Sequence, residues 1–553
     1  MTALAQELVE NPKKQKLRNN EYYDTQDIQD LLYDYSKRGY DFRNLMQHIK
    51  AEENILLAYR NIKKNTGSKT RGTNNKTIKD LEKLTTQELV DYVRNRLEYY
   101  IPQPVRRVYI PKPDGRKRPL GIPTIEDRLI QQCIKQVLEP ICEAKFHNHS
   151  YGFRPNRSTK HSIARTMFLM NRNKLHYAVD VDIKGFFDNV DHSKLKKQMW
   201  SMGIKDKKLI SIIGNMLKAE IEGEGIPDKG TPQGGIISPL LSNIVLNELD
   251  WWVSNQWETF RTDHKYTQRD NRITAQKKTN LKEIYIVRYA DDFKVMCRDY
   301  ETASKIKVAT IQWLKERLNL DVSKKKTQIT NLKTSYTEFL GIKMKVVKKG
   351  KKYVCKSRIA NGVKSKLANK LRKQIKQIRQ DITPQQVSKL NGQILGMQNY
   401  YSMATHVNID FSEIAFLVNR TLENRLKSVL SRTGTESKAF KKIYESYNYK
   451  PYCVASIKIF PIAGVTTSPP MNFSQEICDY TPEGREKVHK KLRSVSPVVQ
   501  RYLVENPVQG QSVEYNDNRI ARYSGQNGCC FVTGKPLTIG NIECHHKKLR
   551  SMG

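Results

Sequence analysis

The hexapeptide Arg288-Tyr289-Ala290-Asp291-Asp292-Phe293 constrains the fold more than any other part of the chain. Ile284-Tyr285-Ile286-Val287 lead into it and Phe293-Lys294-Val295-Met296 lead out, so the segment reads as strand, tight turn, strand. Two adjacent carboxylates at such a turn repel each other and cost stability unless a cation sits between them. Mg²⁺ takes carboxylate oxygens together with substrate phosphates, the combination that nucleotidyl transfer requires. The competing reading is a hairpin turn with no chemistry, since Asp is common in turns. The neighbouring segments decide between the two.

A second acidic strand lies upstream, Tyr177-Ala178-Val179-Asp180-Val181-Asp182-Ile183, followed by Lys184-Gly185-Phe186-Phe187-Asp188. Period-2 alternation puts Val179, Val181 and Ile183 on one face and Asp180 and Asp182 on the other. Alone this is an edge or solvent-facing strand; beside the Asp291-Asp292 strand it supplies a third carboxylate for a two-metal site. Between the two strands stands Gly230-Thr231-Pro232-Gln233-Gly234-Gly235-Ile236-Ile237-Ser238-Pro239. Its glycines let backbone approach a ligand closely, and Ser238-Pro239 suits the cap and first position of a helix. Leu240, Leu241, Ile244, Val245 and Leu249 then form that helix's apolar face.

In this order and spacing the three segments resemble the palm of reverse transcriptases, and most nearly the bacterial group II intron branch. Tyr109-Ile110-Pro111-Lys112-Pro113-Asp114-Gly115-Arg116-Lys117-Arg118-Pro119-Leu120-Gly121-Ile122-Pro123-Thr124 agrees, as do Glu126-Asp127-Arg128, Tyr151-Gly152-Phe153-Arg154-Pro155-Asn156-Arg157-Ser158 and Phe339-Leu340-Gly341. The resemblance implies an α+β right-hand polymerase fold: fingers, a palm with an antiparallel sheet, and a helical thumb. Residues 1–60 read as an N-terminal helical extension and 61–345 as fingers and palm. Residues 355–462 read as a thumb or maturase domain, 471–520 as a DNA-binding region and 521–553 as a partial HNH endonuclease.

What the resemblance implies for single residues carries over position by position. Asp182, Asp291 and Asp292 match the catalytic carboxylates, and with Ile183 they form the metal-binding set for two Mg²⁺. Asp182 is preferred to Asp180 because Phe187 then stands five residues on, where the family keeps a ring against the sugar 2′ position. Lys112, Arg118, Phe187, Gln233 and Lys326 are the expected dNTP contacts, although Lys326 also reads as a surface lysine in a basic run. The implied activity is RNA-directed DNA polymerase and splicing maturase, serving intron mobility by target-primed reverse transcription. Partners would be the group II intron RNA, an RNA template with a DNA primer, and target DNA. The expected location is the bacterial cytoplasm, at the nucleoid when target DNA is bound.

Charge agrees with such partners. Lys and Arg number 97 against 56 Asp and Glu, a net +41 over 553 residues, which implies a polyanion. The chain has no run of eighteen apolar residues, so nucleic acid is preferred to membrane. After Lys348-Lys349-Gly350-Lys351-Lys352 the pattern turns helical. Val363, Leu367, Leu371, Ile375 and Ile378 share a face, while Lys364, Lys366, Lys370 and Lys373 stand among basic residues without matching acids. Those four lysines are the expected RNA contacts, with Tyr400 and Tyr401 either stacking on RNA or packing in the thumb. Val253 to Glu283 reads as an irregular charged insert, forming surface loops or a short charged helix.

Near the C-terminus, Cys530, Cys544, His545 and His546 resemble the opening of an HNH nuclease. The alternative is a short basic tail with incidental cysteines. Zn²⁺ is expected there only in a complete domain, and endonuclease activity is not expected because the motif is incomplete.

Overall fold

The computed structural model describes residues 19–111, 115, 117–489 and 495–544. Helices of nine or more residues are numbered in chain order. The first three are α1 (Gln26–Arg38), α2 (Glu52–Lys63) and α3 (Thr86–Glu98). Thr85 caps α3 reciprocally with Glu88, each satisfying a backbone N–H that the helix start leaves unpaired. Both α1 and α2 pack on α4 (Ile125–Glu143), which is buried on nearly every side and runs through the core. The helices of residues 26–63 therefore join the same packed unit as the residues that follow. α4 tolerates its buried charges because each is partnered: Asp127 accepts from Arg96 (2.8 Å) and Tyr100 (3.0 Å), and Arg128 donates to the Gly67 and Thr70 carbonyls.

Strands β1 (Arg106–Pro111) and β2 (Lys117–Ile122) form an exposed antiparallel hairpin. After α5 (Thr159–Asn171) comes β3 (Tyr177–Asp182), then α6 (His192–Ser201), α7 (Lys207–Leu217) and α8 (Ser238–Asn255). Strands β4 (Ile284–Tyr289), β5 (Asp292–Cys297) and β6 (Gln328–Asn331) complete a four-stranded sheet in the order β4-β5-β3-β6, with every pair antiparallel. α10 (Tyr300–Leu318) packs on β3, β5 and β6, and α8 on β4. The fold is thus α+β with an antiparallel sheet, as the resemblance implies.

Two expectations change. The segment from Val253 to Glu283 holds the short charged helix that is one of its two readings, but it is not all surface. α8 continues to Asn255, Trp257 is buried with its indole N–H on the Tyr285 hydroxyl (3.1 Å), and α9 (Arg269–Lys277) forms within it. Nor does the chain turn helical straight after Lys352. β7 (Thr337–Phe339), β8 (Ile342–Lys349) and β9 (Lys352–Ile359) make a three-stranded sheet across the expected 345/355 domain boundary. Lysines on the outer face of both strands hide an inner face of Met344, Val346, Cys355 and Ile359.

Three long helices follow: α11 (Asn361–Gln380), α12 (Pro384–Tyr401) and α13 (Val407–Leu426). α11 packs on both others through Ala368, Leu371, Ile375 and Ile378, while Val363 and Leu367 are only half-buried. The last helices, α14 (Pro497–Glu505) and α15 (Val513–Gly525), return to the start of the chain. Asp517 of α15 accepts from the Tyr23 hydroxyl, from Arg60 (2.7 Å) and from Lys63 (2.9 Å), and the Val513 N–H donates to the Leu84 carbonyl (2.7 Å). The 471–520 region thus lies against the N-terminal helices. Among the described residues no helix is long and apolar enough to cross a membrane.

Candidate active site

Strand register builds the site. β3 and β5 pair so that Asp182 stands directly opposite Asp292, and Asp180 opposite Lys294. The second pair is neutralised: the buried Lys294 ammonium bonds Asp180 and the Thr337 hydroxyl (2.8 Å). The first pair sets like charges face to face, which destabilises a sheet. Asp182 keeps one exposed cation near it, Lys326 at 3.4 Å. Of the two upstream carboxylates, therefore, Asp180 is held in a buried ion pair, whereas Asp182 stays half-exposed beside Lys326. Lys326, from the basic run, is brought to the site.

Asp291 and Ala290 form the two-residue turn between β4 and β5, where Tyr289 pairs with Asp292. Ala290 has φ +57°, a left-handed conformation that costs about 1 kcal/mol for a residue with a Cβ. The turn is held from three sides. Arg288 donates to the Ala290 carbonyl (2.9 Å) and to Asn243 Oδ1 (3.0 Å), and grips Asp250 through two nitrogens (2.8 and 2.6 Å). Asn243 in turn donates to the Gly152 carbonyl (2.9 Å). Gly152 lies so close that a Cβ there would collide with the backbone of Ala290. Sequence reading missed Asn243 and Asp250; the available signal was a pair of polar residues on the buried side of an apolar helix.

The glycine loop links this site to the hairpin. The Thr231 N–H donates to the Phe187 carbonyl (2.7 Å), and Gln233 donates to Asp188 (3.1 Å) and accepts from Arg118 Nε (3.0 Å). Gly234 has φ +134°, and a Cβ there would strike the Gly121 carbonyl of β2. Only glycine lets the loop lie flat on the hairpin. Ser238 is the first residue of α8 rather than its cap, and its hydroxyl donates to the Pro232 carbonyl, closing the loop on itself. Phe187 is half-buried, edge-on to Phe186 at 5.5 Å between ring centres. Lys112 lies outside the described residues.

The site suits a divalent cation. Ile183 bridges Val322 through the Asp182 carbonyl and Lys184 N–H, so that bridge leaves its own carbonyl unused. Solvent reaches Asp292, yet burial pushes its pKa up to about 6, with Lys294 opposing and Asp180, Asp291 and Asp182 adding to the rise. Among the described residues no three His, Cys, Asp or Glu side chains stand close enough to hold a metal on their own.

A raised folded-state pKa makes ionised Asp292 a stability cost, absent below the unfolded carboxylate's range and fully present above pH 6. Asp292→Asn is accordingly expected to raise the thermal unfolding temperature at pH 7 without added metal, the gain shrinking as pH falls through 6. Added Mg²⁺ is expected to raise that temperature in the parent at pH 7, and far less in the variant. A scan across pH with and without Mg²⁺ reads both; no gain for the Asn variant at pH 7 would mean that ionised Asp292 carries no cost from its burial or its acidic neighbours.

Away from the sheet, the expected RNA contacts divide. Lys364 is not free: it pairs with Glu413 (2.5 Å) and Asp410 (3.4 Å), acids that approach from α13 and are invisible in the sequence of α11. Lys366, Lys370 and Lys373 are exposed. Tyr400 and Tyr401 are half-buried, with the Tyr400 hydroxyl on the Leu340 carbonyl (3.1 Å) and the rings edge-on at 4.7 Å. Those contacts give the two rings to packing rather than to an open stacking platform. Cys530 and Cys544 are partly exposed free thiols, and burial pushes that of Cys544 up. His545 and His546 lie outside the described residues.

Residues 110–344 match the family described as reverse transcriptase (RNA-dependent DNA polymerase). The chain is 29% identical over 463 residues to the group II intron-encoded protein LtrA of Lactococcus lactis, covering 71% of this chain and 76% of that protein. It is 35% identical over 266 residues to protein YkfC of Escherichia coli, covering 44% and 67%. It is also 29% identical over 479 residues to a 91 kDa protein in the cob intron of Schizosaccharomyces pombe, covering 76% and 58%.

Proposed function

The chain belongs to the group II intron reverse transcriptases and maturases, and from that premise we propose that Asp182, Asp291 and Asp292 are its polymerase centre. The observation that carries the reading is the register: β3 and β5 set Asp182 opposite Asp292, with the exposed Lys326 beside Asp182, while the neighbouring Asp180 is neutralised by the buried Lys294. The four-stranded sheet is then the palm, the helices and hairpin before β3 the fingers, and α11 to α13 the thumb.

Asp182, the Ile183 carbonyl, Asp291 and Asp292 would hold two Mg²⁺. Bound there, the ions supply charge neutralisation for the primer 3′-oxygen and the triphosphate during attack on the α-phosphate. The protein's own groups do the rest. Arg118, oriented by Gln233, offers charge-assisted bonds to the triphosphate. Lys326 sits beside Asp182, where its ammonium meets the departing pyrophosphate. Gln233, pinned between Arg118 and Asp188, fixes the floor on which the incoming base pair rests. The Phe187 ring occupies the space a ribose 2′-hydroxyl would need.

The DNA product would be made on intron RNA primed at target DNA, with the protein acting in the bacterial cytoplasm and at the nucleoid. Residues 471–520 would contribute to holding that DNA. The cysteines after residue 521 have no part in the polymerase reading.

Primer extension tests it. The protein is expected to extend a DNA primer on an RNA template with dNTPs and to reject rNTPs. Phe187→Val is expected to admit rGTP with about a tenfold or greater loss of discrimination, the value of roughly 1.4 kcal/mol of relieved steric conflict. Unchanged discrimination would make Phe187 core and no gate, and no extension at all by the parent would sink the polymerase reading.

A further inference from the structure

We propose that the groove between α6 and α7 is a second nucleic-acid site that holds the phosphate backbone of duplex RNA outside the polymerase centre. The proposal rests on the intron reverse transcriptase reading, which supplies RNA as the partner. On α6, Lys196 and Lys197 stand one turn before Trp200; Lys207 and Asn215 of α7 and Lys218 at its C-cap line the facing side. Together they line an open groove of about 620 Å³ with no acidic residue in its lining.

Two helices packed side by side normally turn apolar stripes toward each other. Here the apolar residues, Leu195 and Met199 on α6 and Leu209, Ile213 and Met216 on α7, are buried in the core instead. The side left over carries four lysines, with Trp200 and Ile210 between them. Neighbouring lysines are spoken for: Lys205 pairs with Asp41, Lys208 with Glu98, and Lys194 donates to the Glu316 and Arg317 carbonyls. Lys196, Lys197, Lys207 and Lys218 have no ion pair or hydrogen bond among the described residues. Four uncompensated cations in one groove raise each other's charging cost unless a polyanion neutralises them.

Spacing suits a backbone. From Lys207 to Leu217 the helix rises roughly 15 Å, with Lys218 just beyond its end, enough to follow several consecutive phosphates. Trp200 is partly exposed at the groove's edge, where an indole can lie against a ribose or base. The lining shares no residue with the carboxylate site, so both can be occupied together.

The experiment uses the full chain stalled on a chain-terminated DNA primer on an RNA template, so that the polymerase cleft is filled. A labelled short RNA duplex, and the same duplex as DNA, then report any second site by fluorescence anisotropy across salt concentrations. Replacing Lys196, Lys197, Lys207 and Lys218 with Gln is expected to flatten the slope of log K against log salt by up to about 0.9 per lost contact. RNA-duplex affinity should fall at least about tenfold at 0.1 M salt, with dNTP extension unchanged. If the quadruple variant unfolds, the Lys196/Lys197 and Lys207/Lys218 pairs tested separately should each remove about half the slope. An unchanged slope for RNA, or a loss confined to the DNA duplex, overturns the proposal. A parent that extends no primer sinks the polymerase reading instead, and the groove is then read on the free protein by the same slope.

Discussion

Asp291→Ala and Asp182→Ala are each expected to lower primer extension by about three orders of magnitude or more, equivalent to roughly 4 kcal/mol of lost transition-state stabilisation. RNA binding should survive, because the lysines that meet the backbone lie elsewhere. Stability separates the carboxylates further. Removing Asp182 takes away one of two like charges facing across β3 and β5, so its Ala variant should unfold at the same temperature as the parent or higher. Asp180→Ala does the opposite: it strands the buried Lys294 ammonium and should cost several kcal/mol. Thermal unfolding and single-turnover extension on the three variants decide it. A destabilised Asp182→Ala with full activity, beside a stable Asp180→Ala with none, would exchange the two assignments.

That contrast marks how far the sequence could be read. Alternation puts Asp180 and Asp182 on one face and says nothing more, because their difference lies in which β5 residue stands opposite. The adjacent acids, the glycine loop and the strand–turn–strand pattern are local, and locally encoded features were legible. Lys364 looked free because its acids belong to α13, some fifty positions later. β9 was missed because lysines on its outer face outweigh the inner alternation of Cys355, Ser357 and Ile359. The return of α15 onto the N-terminal helices rests on Asp517 meeting Tyr23, Arg60 and Lys63 across more than 450 residues, a pairing no local pattern announces. The same limit hid Asp250, whose partner Arg288 is 38 residues away.

Arg288 carries the second large effect. Its guanidinium is 1% exposed and the Asp250 carboxylate fully buried, so removing either one leaves an uncompensated charge in the core. Arg288→Met is expected to destabilise the protein by roughly 3–5 kcal/mol, and Asp250→Leu by a similar amount. The double variant should recover most of that loss, since a buried ion pair can often be replaced by apolar side chains at little cost. Activity should not recover with it. The Arg288 bond to the Ala290 carbonyl is what opposes relaxation of the left-handed turn, and Asp291 and Asp292 take their positions from that turn. An ångström of drift at the reacting centre is worth about a hundredfold in rate. The double variant is therefore expected to be folded, to bind RNA as the parent does, and to extend primers about a hundredfold more slowly, with a raised Mg²⁺ requirement. Melting curves, RNA binding and a Mg²⁺ titration of extension check the three parts. Full activity in a stable double variant would reduce Arg288 to a core ion pair with no hold on the carboxylates.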